Sequence, residues 1–212
     1  MVTDFTHSAL LIIDVQNDFC PSYRTSGEAI SEPGALAVPG GNDIIPLINE
    51  LSAQFEKHFA PIVATQDWHP QNHCSFASSS GSTGQEQGIW PDHCVQGTRG
   101  AELHSELNQN PIRLIIRKGF RPYLDSYSAF FENDHQTPTG LEGYLKGLGI
   151  THLYFTGLAT DYCVKYSALD ARRLGFAVSV ISDAVRGVDY PAGSLSQALE
   201  AMKRAGVALI NL

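Results

Sequence analysis

The stretch HLYFTGLATDYCVKYSALDARRLGFAVSVIS, residues 152–182, decides the fold. It opens on a short β-rich apolar run, His152–Thr156, passes through a helical pattern over Asp161–Leu174, and closes on a second apolar run, Ala177–Ser182. Gly175 falls between the helix and the second run, where a left-handed C-terminal cap suits glycine. Strand, helix and strand in this order form the repeating unit of a parallel sheet.

Outward from this unit the rhythm repeats. Further apolar runs occur at Ala9–Val15, Pro61–Gln66 and Ile112–Arg117, with a weaker one at Val207–Ile210, giving six strands in all. They are too apolar to keep one wet face, as expected of strands buried on both sides. Helical patterns lie between them at Ile44–Phe59, Leu141–Leu148 and Ser194–Ala205, and Gly149 and Gly206 repeat the capping position of Gly175. The expectation is a three-layer α/β/α domain around a six-stranded, mostly parallel sheet. At 212 residues the chain has the length of one domain, 1–212. Two stretches break the rhythm, Cys20–Gly41 and His69–Arg99, both rich in Ser, Gly, Pro and Gln, with Ser78–Gly88 almost without pattern. Long loops inside a compact domain are usually functional, so these are read as active-site loops.

Composition narrows the function. Hydrophobic residues make up 43% and charged residues 17%, a balance that builds a core. Fourteen Lys and Arg against 22 acidic residues give a formal charge of −8, and no basic stripe is present to neutralise phosphates, so nucleic acid is excluded as a partner. Ala9–Ile13 is far short of a bilayer span and follows no basic segment, so no membrane partner is expected. Four cysteines, Cys20, Cys74, Cys94 and Cys163, form no C-x-x-C pair in a chain large enough to fold without disulfides. That points to a cytoplasmic protein whose thiols serve chemistry. A homo-oligomer is left open.

In open α/β sheets ligands bind beyond the carboxyl ends of the strands. The groups that close the runs are Asp14, then Asp67 and His69, then Lys118, while the fourth strand enters the turn Gly157–Asp161 that delivers Cys163 to a helix start. Singly, Asp14 reads as a turn residue, Lys118 as a solvated lysine and Cys163 as an inert buried thiol. Together, on one rim, they read as a site. A cysteine in the first turn of a helix is favoured as thiolate by the macrodipole. Asp14 is placed to accept the thiol proton and Lys118 to hold the charged pair. Backbone N–H groups of the turn supply an oxyanion hole, which makes hydrolysis of an amide or ester through a thioester the expected reaction. No G-x-S-x-G elbow offers a serine route.

Asp67-x-His69 followed by His93 forms a second constellation, because residues two apart at a strand end share a face. One carboxylate and two imidazoles are an open ligand set for Zn²⁺, Fe²⁺ or Mn²⁺. His73, Cys74 and Cys94 are competitors for a closed, structural site. Phe19, Trp68, Trp90 and Tyr127 lie near these loops and are suited to wall a pocket for a flat ring. Asp183 also closes a run and is read as a cap.

The segments D-V-Q-N-D-F-C (14–20), D-W-H-P (67–70), W-P-D-H-C-V-Q-G-T (90–98), R-K-G (117–119) and G-L-A-T-D-Y-C-V (157–164) resemble the nicotinamidases of the isochorismatase-like cysteine hydrolases. The resemblance runs from the first strand to the last helix, and D-W-H-P with P-D-H-C-V-x-G-T is its specific part. It implies a catalytic triad of Asp14, Lys118 and Cys163. It implies a non-proline cis peptide at Leu158–Ala159, with the N–H groups of Ala159 and Cys163 as the oxyanion hole. It implies a divalent metal ion, zinc first with iron or manganese as alternatives, on Asp67, His69 and His93, touching a pyridine nitrogen. Ser75 aligns with a fourth ligand position that varies in the family and is assigned a contact through water. Phe19, Trp90, Tyr127 and Leu158 are implied at the substrate. The implied reaction is hydrolysis of nicotinamide to nicotinate and ammonia in NAD salvage, with pyrazinamide also accepted. Another amide hydrolase of the same superfamily and a silent metal-binding scaffold are the competing readings. In the family's strand order Lys118 starts two strands from Asp14, about 10 Å away, a gap that only its long stem or the loop at Gly119 closes.

Overall fold

The structure, a computed structural model, describes residues 5–23, 31–79 and 88–212; much of the patternless Ser78–Gly88 stretch lies outside the described residues. Strands β1 (Ser8–Ile13), β2 (Ile62–Asp67), β3 (Leu114–Lys118), β4 (His152–Leu158), β5 (Ala177–Arg186) and β6 (Ala208–Ile210) follow the six apolar runs. They form one sheet in the order β3-β2-β1-β4-β5-β6, and every neighbouring pair is parallel. All six carboxyl ends therefore lie on one edge, with the order reversing between β1 and β4, where ligands bind in such sheets.

Four α-helices cover the faces: α1 (Ile45–Lys57), α2 (Leu141–Gly147), α3 (Lys165–Arg173) and α4 (Ser194–Arg204). α1 starts with Pro46 in its first turn, a position where the missing N–H costs nothing. It buries Ile45, Ile48, Leu51 and Phe55, one stripe at helical spacing, against Leu10, Ile12, Ile62 and Ala64. The intervening residues of β1, Ala9, Leu11 and Ile13, face the opposite core, where Leu141 and Leu145 of α2, Ala168 of α3 and Met202 of α4 pack. The two-residue period of one strand thus feeds two cores. Gly149, Gly175 and Gly206 have φ of +70°, +93° and +79°, the left-handed caps expected after α2, α3 and α4.

Three expectations are corrected. Burial on both faces holds for β1, β2 and most of β4, but β3 is an edge strand: Ile115 is 43% exposed, and Arg117 lies over the Trp68 ring at 3.7 Å. β5 continues four residues past Ser182, so Asp183 lies within the strand and its carboxylate accepts the Leu212 N–H at 3.0 Å rather than capping. The helix expected from Asp161 opens with a π-helical turn, Thr160–Val164, in which the Val164 N–H reaches back five residues to the Ala159 carbonyl at 3.2 Å. Such wide turns concentrate at functional sites. No helix among the described residues is long and apolar enough to cross a membrane.

Candidate active site

Asp14 follows β1 with φ +48°, a left-handed conformation uncommon outside glycine. Its N–H donates to Thr65 Oγ1 at 3.1 Å, and the Thr65 hydroxyl donates back to Asp14 Oδ1 at 2.5 Å. Thr65 sits inside β2, so the neighbouring strand holds the turn of β1 in place. The other oxygen, Oδ2, is buried and makes no hydrogen bond; it lies 2.7 Å from Lys118 Nζ as an ion pair outside hydrogen-bond alignment.

Lys118 closes the two-strand gap with its stem. Its backbone pairs with Asp67 across the β2–β3 ladder, while its fully buried side chain crosses β2 to reach Asp14. On the way Nζ donates to Asp67 Oδ1, to the Ser126 carbonyl at 3.2 Å and to Cys163 Sγ at 3.4 Å. Burial alone would lower the pKa of this ammonium, but Asp14 and Asp67 hold it well above the usual lysine range. Asp67 responds in the opposite sense: burial would raise its carboxyl, yet Lys118 and His69 hold it below the usual range. For Asp14 burial wins over Lys118, and its carboxyl is raised.

Cys163 occupies the π-helical turn after β4, and Leu158–Ala159, immediately before that turn, is a non-proline cis peptide. Its Sγ lies within 4.8 Å of a carboxylate oxygen of Asp14 and of Asp67. Burial pushes the thiol well above its ordinary pKa against the pull of Lys118, with Asp14 adding to the rise. Burial thus acts against the thiolate that the helix macrodipole favours, and Lys118 acts for it.

Asp67, His69 and His93 also converge, with one ligand atom of each within 4.8 Å of the others. His69 Nδ1 faces the Gly119 carbonyl at 2.8 Å and His93 Nδ1 faces the Pro91 carbonyl at 2.7 Å. Each carbonyl requires a proton on Nδ1, which leaves Nε2 as the lone pair, and the two Nε2 atoms point to Asp67 Oδ2 at 3.6 and 3.9 Å. One carboxylate and two oriented imidazoles fit a divalent ion. Burial would lower the His69 pKa, but Asp67 raises it, while for His93 burial prevails and lowers it. Gly119 allows the approach: at φ +62°, a Cβ there would lie 2.5 Å from His69 Cε1.

Ser75 is buried nearby, and its Oγ pairs with His73 Nδ1 at 2.8 Å. His69, His73 and Asp125 form a second cluster of potential ligands, but the two imidazoles stack at 4.1 Å and 24°, so their in-plane lone pairs run side by side instead of converging. Cys74 and Cys94 join no such cluster among the described residues, and all four cysteines are free thiols.

A cavity opens in front of the thiol. Phe19, Trp90 and Tyr127 line it with Asp67, His69, His93, Ala159 and Cys163, and Trp90 Nε1 donates to the Tyr127 hydroxyl at 3.1 Å. Leu158 does not line it: its side chain is fully buried in the core beside α1, and Ala159 takes the wall position. Asp14 and Lys118 lie behind the wall. Sequence reasoning missed Leu36, Val38, Asp125, Tyr162 and Val188 on the wall, and Thr65 behind Asp14. Of these only Tyr162, adjacent to Cys163, carried a signal in its position.

This arrangement matches the isochorismatase domain, whose family model covers residues 8–212, and the chain belongs to that family. Within it the chain is similar to nicotinamidases. It is 46% identical to the nicotinamidase of Acinetobacter baylyi, over 96% of this chain and 92% of that one. The L. infantum protein crystallised with nicotinate is 38% identical, with a TM-score of 0.84 over 100% of this chain and 96% of that one. The pyrazinamidase of Pyrococcus horikoshii, crystallised with zinc, is also 38% identical, with a TM-score of 0.78 over 97% and 99%.

Proposed function

We propose that this protein is an amidohydrolase that converts nicotinamide to nicotinate and ammonia by way of a thioester on Cys163. The observation that carries the reading is the meeting of a thiol, a buried carboxylate and an ammonium at a cavity walled by an open set of metal ligands.

Asp14 Oδ2 takes the Cys163 proton as Sγ attacks the carboxamide carbon. Its raised pKa makes it a better base than an ordinary carboxylate. The N–H groups of Ala159 and Cys163 hold the oxygen of the tetrahedral intermediate. Asp14 returns the proton to nitrogen, the C–N bond breaks and ammonia leaves. Asp14 then deprotonates a water that cleaves the thioester, giving nicotinate and the free thiol. Through both halves Lys118 keeps a positive charge beside whichever of Sγ and Asp14 is anionic. Asp67, His69 and His93 would hold the divalent ion, with zinc preferred and iron or manganese as alternatives. Bound there, the ion supplies a Lewis-acid contact for the ring nitrogen of a pyridine carboxamide. Phe19, Trp90 and Tyr127 then sandwich the ring, and Ser75 acts on the metal site through water. Pyrazinamide, with a nitrogen at the same ring position, is accepted too. The four free thiols suit a cytoplasmic enzyme of NAD salvage.

Ammonia release from nicotinamide and from benzamide, which lacks the ring nitrogen, tests this. Nicotinamide is expected to react faster by about a hundredfold or more in kcat/KM. Equal values for the two amides overturn the reading.

A further inference from the structure

The turn that presents Cys163 carries two side chains that reach away from the thiol. Asp161 is fully buried, and its carboxylate accepts two hydrogen bonds from one loop, the Val188 N–H at 3.1 Å and the Asp189 N–H at 2.9 Å, and a third from the Ser194 hydroxyl at the start of α4, at 2.6 Å. Tyr162 donates its hydroxyl to the Tyr190 carbonyl of the same loop. This loop joins β5 to α4, and at Gly187 it passes so close that a Cβ would lie 2.9 Å from Asp161 Oδ1. Its far end is braced separately, where the Asp189 carboxylate accepts the N–H groups of Gly193 and Leu195, each at 3.0 Å. Val188 lines the cavity, and the Tyr190 ring packs on Trp90, another cavity residue, at 6.2 Å.

We propose that Asp161 is a positioning residue for the substrate: it clamps the loop 187–194 onto the nucleophile turn, so that the wall built on Val188 and the Tyr190-backed Trp90 stands at a fixed distance from Cys163. The inference rests on the amide-hydrolysis reading above. An ionised acceptor holds its donors more strongly than a neutral one. Without it, the N–H groups of Val188 and Asp189 lose their partner and the loop finds a new conformation. Asp161 touches neither the thiol's base nor the metal ligands, so releasing the clamp moves the wall while the triad stays in place. The consequence falls on binding, not on the chemical step.

Asp161→Asn tests this at constant volume, because one acceptor becomes a donor that faces the loop's donors. Ser194→Ala removes one of the three bonds and serves where Asp161→Asn fails to fold. In the full chain with nicotinamide, KM is expected to rise about tenfold in Asp161→Asn and about threefold in Ser194→Ala, with kcat falling less than about threefold in either. Hydrogen exchange at the Val188 and Asp189 amides is expected to speed about a hundredfold in Asp161→Asn. An unmoved KM in both variants, or a fall in kcat with KM unchanged, overturns the proposal. Wild-type exchange rates at those two amides in Asp161→Asn overturn the clamp by a readout independent of activity. A wild type that fails to turn over nicotinamide, with exchange still accelerated in the variant, overturns the activity reading and supports the clamp.

Discussion

Two clusters share one carboxylate and are built by different means. Asp14, Lys118 and Cys163 follow or end strands β1, β3 and β4, so the ladder sets their spacing. Of the other cluster only Asp67 belongs to a strand; His69 and His93 stand in loops. There the fixing comes from local bonds: His69 N–H to the Cys94 carbonyl at 3.0 Å, Gln96 N–H to the His69 carbonyl at 2.8 Å, and the two Nδ1 contacts to backbone. Asp67 joins them, giving Oδ1 to Lys118 and Oδ2 to the histidines. A sheet edge positions charge through strands that cannot slip without turning side chains to the other face. A loop site relies on a few hydrogen bonds and is the easier of the two to disturb.

The comparison sharpens first at the thiol. Cys163→Ala removes the proposed nucleophile and leaves Asp67, His69 and His93 untouched. Ammonia release from nicotinamide is expected to fall by about 10⁴-fold or more, with metal content per chain unchanged. Metal lost together with activity would mean that the clusters are one unit.

Gly119→Ala reverses the perturbation. A methyl group 2.5 Å from His69 Cε1, on backbone at φ +62°, pushes the imidazole off the Gly119 carbonyl that orients it. Loss of such an orienting partner typically weakens metal affinity about 10- to 100-fold, and that range is expected in a metal titration. The rate at which iodoacetamide alkylates Cys163 should change less than the metal affinity does, because His69 reaches the thiol only through Asp67 and Lys118. Unchanged metal affinity would show that the loop absorbs the methyl.

The two clusters were not equally legible. The strand ends could be read because each apolar run stops at a polar residue, and parallel order then places Asp14, Asp67 and Lys118 on one edge. The spacing Asp67-x-His69 also survived, since it depends only on the local period. What could not be read depends on chain that returns from far away. Leu36, Val38, Asp125 and Val188 reach the cavity through loops whose paths no periodicity describes. Thr65 was hidden in the middle of an apolar strand, and only the β1–β2 pairing shows that it holds Asp14. Leu158 was assigned to the ring, but its side chain turns into the core and leaves Ala159 at the wall. The burial of Cys163, which opposes its ionisation, was not legible, because a helix start is visible in sequence and complete burial is not.

A third variant changes neither cluster. Cys20 is buried in the core beside α1, and burial, with a smaller push from Glu106, raises its thiol pKa from 9.0 to about 12. A raised folded-state pKa means that the unfolded chain gives up this proton first. The contribution is fully present below pH 9.0 and is lost as pH rises toward about 12. Cys20→Ala removes that dependence and leaves a small cavity, so it should be less stable than wild type at neutral pH by about 1 kcal/mol. Urea midpoints for the two proteins should then converge as pH is raised from 8, cross near about pH 10 and leave the wild type the less stable by about pH 11, because only the wild type loses stability through this thiol. A constant difference in midpoint across that range would show that Cys20 ionises in the folded chain as easily as in the unfolded one. Nicotinamide turnover at neutral pH should be the same for both, which sets the smallest effect beside the two larger ones and tests whether the site is insulated from the core beneath α1.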